Sequence, residues 1–118
     1  ATTEYMAATL LDLAWHTIED GEIRDADEFE EKVLSEYGLI DEIAPRYRTT
    51  YFSHIFSGGY SAGYYSYIWS DIFGADAYQA FRENGIFDEK TAKAFVDNVL
   101  SKGGTESSGA KKQILSIC

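Results

Sequence analysis

Residues 25–38 read DADEFEEKVLSEYG, a segment that carries both a helix start and a helix stop. Asp25 can accept the unpaired backbone N–H groups at the head of a helix, and Glu28, three residues on, can reach back to close a capping box. Phe29, Val33 and Tyr37 then share a face at helical spacing, and Gly38 offers the left-handed conformation in which many helices end. Upstream, Met6, Leu10, Leu13, Ala14 and Ile18 recur at the same period, with Glu4 in the first turn and Gly21 just past the end, which predicts a helix from about Thr3 to Asp20. Downstream, Pro45 opens a linker, PRYRTT. Ala62, Tyr65, Trp69, Ile72 and Phe73 then predict a helix from about Ser61 to Asn84, interrupted or bent near Gly74. A last helix is expected from Asp88 as N-cap through Phe95 and Val99 to Lys102, stopped by Gly103 and Gly104. The remaining TESSGAKKQILSIC (105–118) has no amphipathic pattern, so a mobile or altered tail is expected there. No strand alternation or internal repeat interrupts this pattern, and the fold class it implies is all-α.

A chain of 118 residues fits one domain and can bury a real core. Twenty Asp and Glu against ten Lys and Arg give a net charge of −10, which repels phosphate backbones and anionic headgroups. Nucleic acid and membrane are therefore not expected partners, and no run approaches the ~20 apolar residues of a membrane span. Cys118 is the single cysteine, so neither an intrachain disulfide nor a four-thiolate metal site can form. Nothing demands an oxidising compartment, and a cytoplasmic location is expected. The opening ATTEYMAATLLDLAW lacks a basic leader and an initiator methionine, so the chain is expected to begin within a longer protein.

Several familiar chemistries fail on spacing. The two histidines, His16 and His54, form no HExxH pair, so no metal site is expected within the chain. An EF-hand frame centred on Gly21 would put His16 and Ile18 where calcium needs oxygen ligands. His16, following Trp15 in a helix, reads as a half-buried structural histidine. There is no GxSxG elbow, and Cys118 has no evident base. SGGYSAG is neither GxGxxG nor a Walker loop.

What remains is residues 54–67, HIFSGGYSAGYYSY, with one histidine, three glycines and four tyrosines. If residues 60–67 are helical, Tyr60, Tyr64 and Tyr67 fall within about 60° of one another, while Tyr65 points toward the Trp69 stripe and the core. An aromatic core or interface stripe is the ordinary reading of such a pattern. Three co-facial hydroxyls beside His54 are nevertheless costlier to satisfy in a core than phenylalanines, which makes a ligand-facing wall a competing reading. At neutral pH a phenol is a neutral donor, suited to a peptide carbonyl or a developing oxyanion. Gly58, Gly59 and Gly63 would let the backbone approach a substrate or close over it.

HIFSGGYSAGYYSYIWSDIF, followed by GADAYQAFRENGIFD and VLSKGG, resembles the C-terminal end of the thimet oligopeptidase family of zinc metallopeptidases, on the side of its bacterial peptidyl-dipeptidases. YMAATLLDLAWH and PRYRTTYFSHIF extend the likeness, which covers about residues 4 to 104. The resemblance implies a helical fragment of a larger zincin-type peptidase, with zinc held by an HExxH helix and a further glutamate upstream of this segment. It implies that His54 contacts the substrate backbone, that Tyr60 and Tyr67 donate hydroxyls to the substrate carbonyl and tetrahedral intermediate, and that Tyr64 lines the same wall. Gly58, Gly59 and Gly63 would form a mobile cover. Without the zinc ligands and the catalytic glutamate, the isolated chain is expected to be inactive. Its implied partners are a peptide substrate and the N-terminal part of the same enzyme, and apolar surface exposed by their loss would favour self-association. A second reading is a non-catalytic helical module binding peptide or a partner protein through the tyrosines, and a third is a purely structural aromatic core.

Overall fold

The computed structural model describes residues 2–105, all helix, turn or irregular chain. The tail expected to be mobile lies, from 106 on, outside the described residues, as does Cys118. Contacts group the chain into two compact units, divided between Ser66 and Tyr67.

The first unit contains α1 (Thr2–His16), α2 (Ala26–Glu36), a 3-10 turn (Thr49–Tyr51) and the single-turn α3 (Ser53–Phe56). Helix α2 starts and stops where its local chemistry dictates. Asp25 Oδ1 accepts from the N–H groups of Asp27 (3.0 Å) and Glu28 (3.1 Å). At the other end Gly38 takes φ +75°. There Leu39 N–H donates to Leu34 O (3.0 Å) and Gly38 N–H to Ser35 O (2.9 Å), the pair of bonds that closes a Schellman motif. Tyr37 is the C-cap and is 58% exposed. The buried residues of α2 are Glu30, Val33 and Leu34, with Phe29 packed against the same core; of the three residues expected to share a face, only Tyr37 stands away from it.

Helix α1 differs from expectation in length and in face. It ends at His16, because the Thr17 hydroxyl folds back onto Leu13 O (2.9 Å) and Asp20 builds a local turn, accepting from Glu22 N–H (3.0 Å) and pairing with Arg24. Gly21 turns the chain at φ +68°. The Arg24 guanidinium holds the Asp20 carboxyl below the usual carboxylate range. The core consists of Ala7 and Leu11 from α1 against Val33 and Leu34 from α2, with Ala14, Trp15, Phe29 and Leu39 packed on it. Met6, by contrast, is 43% exposed. Apolar residues lie almost all round α1, so its period did not single out one face; the small Ala7 lets α2 approach closely.

Helix α4 (Ser66–Asn84), which lies in the second unit from Tyr67 on, runs unbroken through Gly74, where a bend was expected, and begins five residues later than its apolar stripe suggested. Gly85, at φ +118°, donates to Phe81 O (2.8 Å) and ends it. Asp88 then caps α5 (Glu89–Asn98), its Oδ2 accepting Thr91 N–H at 2.7 Å. A 3-10 turn (Leu100–Lys102) and Gly103 at φ +51° complete the element that the sequence had read as one helix to Lys102. Phe81 and Phe95 meet edge to face at 6.1 Å. None of the residues of α4 is buried, and Trp69 (52%) and Ile72 (45%) of its stripe stand exposed.

Candidate functional site

The segment 49–65 reaches its position through two buried carboxylates, one from each helix of the first unit. Glu30 of α2 is 2% exposed, and its Oε2 accepts both the N–H (2.6 Å) and the hydroxyl (2.9 Å) of Thr49, while Arg48 Nε pairs with Oε1. Trp15 Nε1–H donates to the Thr49 hydroxyl at 3.0 Å, which ties α1 to the same point. Asp12 of α1 is fully buried, and its two oxygens accept Ala62 N–H and Tyr64 N–H, each at 2.9 Å. His16 Nδ1 lies 2.8 Å from both Asp12 Oδ1 and Asp12 O; both are acceptors, so Nδ1 carries the proton.

This anchoring explains why residues 60–65 are turns and not helix. A carboxylate that takes the N–H groups of Ala62 and Tyr64 removes them from a helical ladder, and Ala62 sits at φ +52°, a left-handed conformation that a residue with a Cβ adopts only under such constraint. The expected common helical face of Tyr60, Tyr64 and Tyr67 is therefore not formed. Tyr60 and Tyr64 stand on the turn segment, and Tyr67 lies half-buried in the first turn of α4, in the second unit. Tyr64 and Tyr65 also exchange roles. Tyr64 is 2% exposed and Tyr65, expected in the core, is 45% exposed.

His54 sits half-buried on α3, whose neighbours Phe52 and Ile55 are buried beneath it. The chain leaves α3 by folding back sharply: Gly58 N–H donates to Ser53 O (2.7 Å) and Tyr60 N–H to His54 O (3.0 Å). A Cβ on Gly58 would lie 2.9 Å from His54 Cα and 3.0 Å from His54 O, so only glycine fits there. Gly59 serves conformation instead, at φ +81° with open space around it. The His54 ring then lies 5.8 Å from that of Tyr64 and 6.3 Å from that of Tyr60. Burial, followed by the neighbouring phenols of Tyr5 and Tyr47, raises the Tyr64 pKa above 10.0, while Arg46 opposes the shift. At neutral pH this hydroxyl is a donor that does not ionise.

Three residues of this cluster escaped the sequence reading. Tyr47 stacks on Phe52 (5.0 Å) and contacts His54 (4.9 Å), Tyr5 of α1 lies 5.7 Å from Tyr64, and the Arg46 guanidinium lies over the rings of Tyr5 and Tyr47. Asp12 escaped it too, although a lone acid inside TLLDLAW is the kind of residue that requires a partner once buried. Among the described residues no three His, Cys, Asp or Glu side chains converge as metal ligands, so the donors here do not fit a zinc ion.

A family model described as Peptidase family M3 matches residues 1–110. The dipeptidyl carboxypeptidase of Escherichia coli (strain K12) is 42% identical over 106 residues, which cover 88% of this chain and 16% of that protein. Oligopeptidase A of the same organism is 60% identical over 55 residues, 47% of this chain and 8% of that protein. The probable cytosolic oligopeptidase A of Arabidopsis thaliana is 49% identical over 57 residues, covering 45% and 8% respectively. The chain thus spans a sixth or less of the length of these relatives. It belongs to peptidase family M3, the thimet oligopeptidase family of zinc metallopeptidases.

Proposed function

We propose that residues 1–104 form the C-terminal helical part of the catalytic domain of a zinc peptidyl-dipeptidase, which removes dipeptides from the C-termini of oligopeptides. The observation that carries this reading is the Asp12 anchor, which holds Tyr64 and the turn bearing Tyr60 beside His54 in a chain of this family. Donors fixed in advance cost no reorganisation when charge develops on a carbonyl oxygen, whereas donors on a free loop would have to be ordered first. In this reading His54 binds the substrate backbone, and Tyr60 and Tyr67 donate hydroxyls to the scissile carbonyl as it becomes tetrahedral. Tyr64 borders the same wall with its ring, and Gly58, Gly59 and Gly63 form the cover over the peptide. The zinc ligands belong to the rest of the enzyme, and the isolated chain is inactive. The name of the E. coli relative, dipeptidyl carboxypeptidase, supports dipeptide release as the reaction. Cytoplasmic location is part of the same proposal.

Tyr67→Phe in the full-length enzyme tests it. Removing one oxyanion donor lowers turnover by about 100- to 1,000-fold, with zinc content unchanged. Unchanged turnover would refute the assigned role. Peptide binding by the isolated chain without zinc, together with an inactive full-length protein, would favour a non-catalytic binding module instead.

A further inference from the structure

Asp12 and Trp15 stand three residues apart on α1, neighbours on one face of the helix, and each holds a different part of the candidate site. Asp12 accepts Ala62 N–H and Tyr64 N–H and so fixes the turn that carries the phenols. Trp15 Nε1–H donates to the Thr49 hydroxyl at 3.0 Å, five residues ahead of His54. That hydroxyl, on a buried residue, donates in turn to Glu30 Oε2 at 2.9 Å, so its one proton is committed to α2 while its oxygen accepts from α1. Glu30 takes the Thr49 N–H as well, at 2.6 Å. From Thr49 the chain runs through the 3-10 turn into α3, and Tyr47 on the other side folds back over that stretch, stacked on Phe52 (5.0 Å) and touching His54 (4.9 Å). The piece 47–54 thus closes on itself and is pinned to both helices at one hydroxyl. The indole that helps to pin it is itself packed on Phe29, ring centroids 4.2 Å apart.

We infer that Thr49 is a positioning residue for the peptidase reaction: bonded to Trp15 and Glu30, its hydroxyl sets His54 in place relative to Tyr60 and Tyr64, with one turn of α1 as the spacer between the two parts of the site. This role rests on the peptidase reading for the reaction it serves, but the placement of α3 that it describes is measurable without turnover. Thr49 is buried and acts through His54, not on the substrate. A group that meets the transition state from a displaced position costs turnover more than ground-state binding, and a misplacement of about 1 Å is enough for a loss of about 100-fold.

The experiment compares Thr49→Val, Thr49→Ser, Trp15→Phe and the double variant Trp15→Phe with Thr49→Val in the full-length protein. It measures kcat, KM, zinc content and thermal stability on each, and follows amide exchange over residues 52–58. Valine keeps the shape of threonine and loses the hydroxyl; phenylalanine keeps an aromatic ring at Trp15 and loses the N–H. The expected result is that Thr49→Val lowers kcat about 10- to 100-fold with KM and zinc content little changed, and that Thr49→Ser restores most of the rate. Trp15→Phe lowers kcat too, and the double variant falls no further than Thr49→Val, as the two halves of one bond require. Unchanged kcat in Thr49→Val would overturn the inference, as would a loss that Thr49→Ser does not recover, losses that multiply in the double variant, or a rate that only follows lost folded protein or zinc. Should Thr49→Val not fold, Trp15→Phe decides alone, and unchanged kcat there overturns it. If the unmodified protein hydrolyses no peptide, the peptidase reading fails; exchange over residues 52–58 that quickens in Thr49→Val and not in Thr49→Ser then leaves the junction standing, and equal exchange in both overturns it.

Discussion

The Asp12 carboxylate accepts the backbone N–H of Tyr64 at 2.9 Å across 52 residues of chain, and through it a helix at the start of the first unit sets the conformation of the turn that carries the candidate site. The other oxygen takes Ala62 N–H at the same distance. Asp12→Ala leaves two N–H groups without their acceptor, each costing about 1–3 kcal/mol if it stays buried. Amide exchange of residues 60–66 in the whole enzyme should then speed up by at least about tenfold, while α5 exchanges as before. Unaltered exchange in that segment would show that the turn holds itself.

Glycines 58 and 59 are expected to respond differently. Gly58→Ala drives a Cβ into the His54 backbone, at 2.9 Å from Cα, so α3 or the turn must shift, at about 1–3 kcal/mol. Gly59→Ala meets open space and bears only the left-handed backbone penalty, about 1–2 kcal/mol. The two variants separate in peptide hydrolysis: Gly58→Ala displaces His54 and lowers kcat, and Gly59→Ala lowers stability with kcat largely kept. Equal loss of kcat in both would contradict the distinction.

Tyrosine titration followed by absorbance should show Tyr64 as a late-ionising group. Its folded pKa is raised by burial, so its contribution to stability is complete below pH 10.0 and is lost as pH rises from there through the folded value. Tyr64→Phe should remove that part of the alkaline loss. If Tyr64 ionised along with the exposed tyrosines, the closed cluster around His54 would be wrong.

At the acid end, the backbone N–H of Thr91 holds the Asp88 carboxyl below the usual carboxylate range. A depressed carboxylate stabilises above its unfolded pKa and loses that effect as pH falls through the folded value. Helicity of α5 should therefore be steady above about pH 4 and decline below it, and Asp88→Ala should lower helicity at neutral pH and abolish the acid step. Circular dichroism against pH checks both.

The exposed Trp69 and Ile72 on α4 give the isolated chain an apolar stripe, and Trp69 stacks at 6.0 Å on Phe73. Sedimentation should show concentration-dependent self-association that Trp69→Glu with Ile72→Glu suppresses. A chain that remains monomeric at high concentration would contradict this.

What the sequence disclosed was what neighbours in the chain decide. Asp25, Gly38, Asp88 and Gly103 mark helix ends because caps act over three or four residues, and they stand where the pattern put them. The turn at 60–65 was misread as helix because its cause, Asp12, lies 50 residues away. The swap of Tyr64 and Tyr65 follows from the same bond, since a one-residue change of backbone path reverses which ring faces inward. The face of α1 was illegible for another reason: with apolar groups on every side, only the position of α2 selects Ala7 and Leu11. Arg46, Tyr47 and Tyr5 form their cluster by tertiary contact and leave no spacing to find.

The most direct measurement is product analysis of the full-length protein acting on a peptide with a free C-terminus, with and without a zinc chelator, beside the isolated chain. The account predicts successive release of C-terminal dipeptides by the full-length protein, loss of that release with chelator, and no release by the isolated chain. Dipeptide release that persists after zinc is removed, or that the isolated chain performs alone, would contradict it.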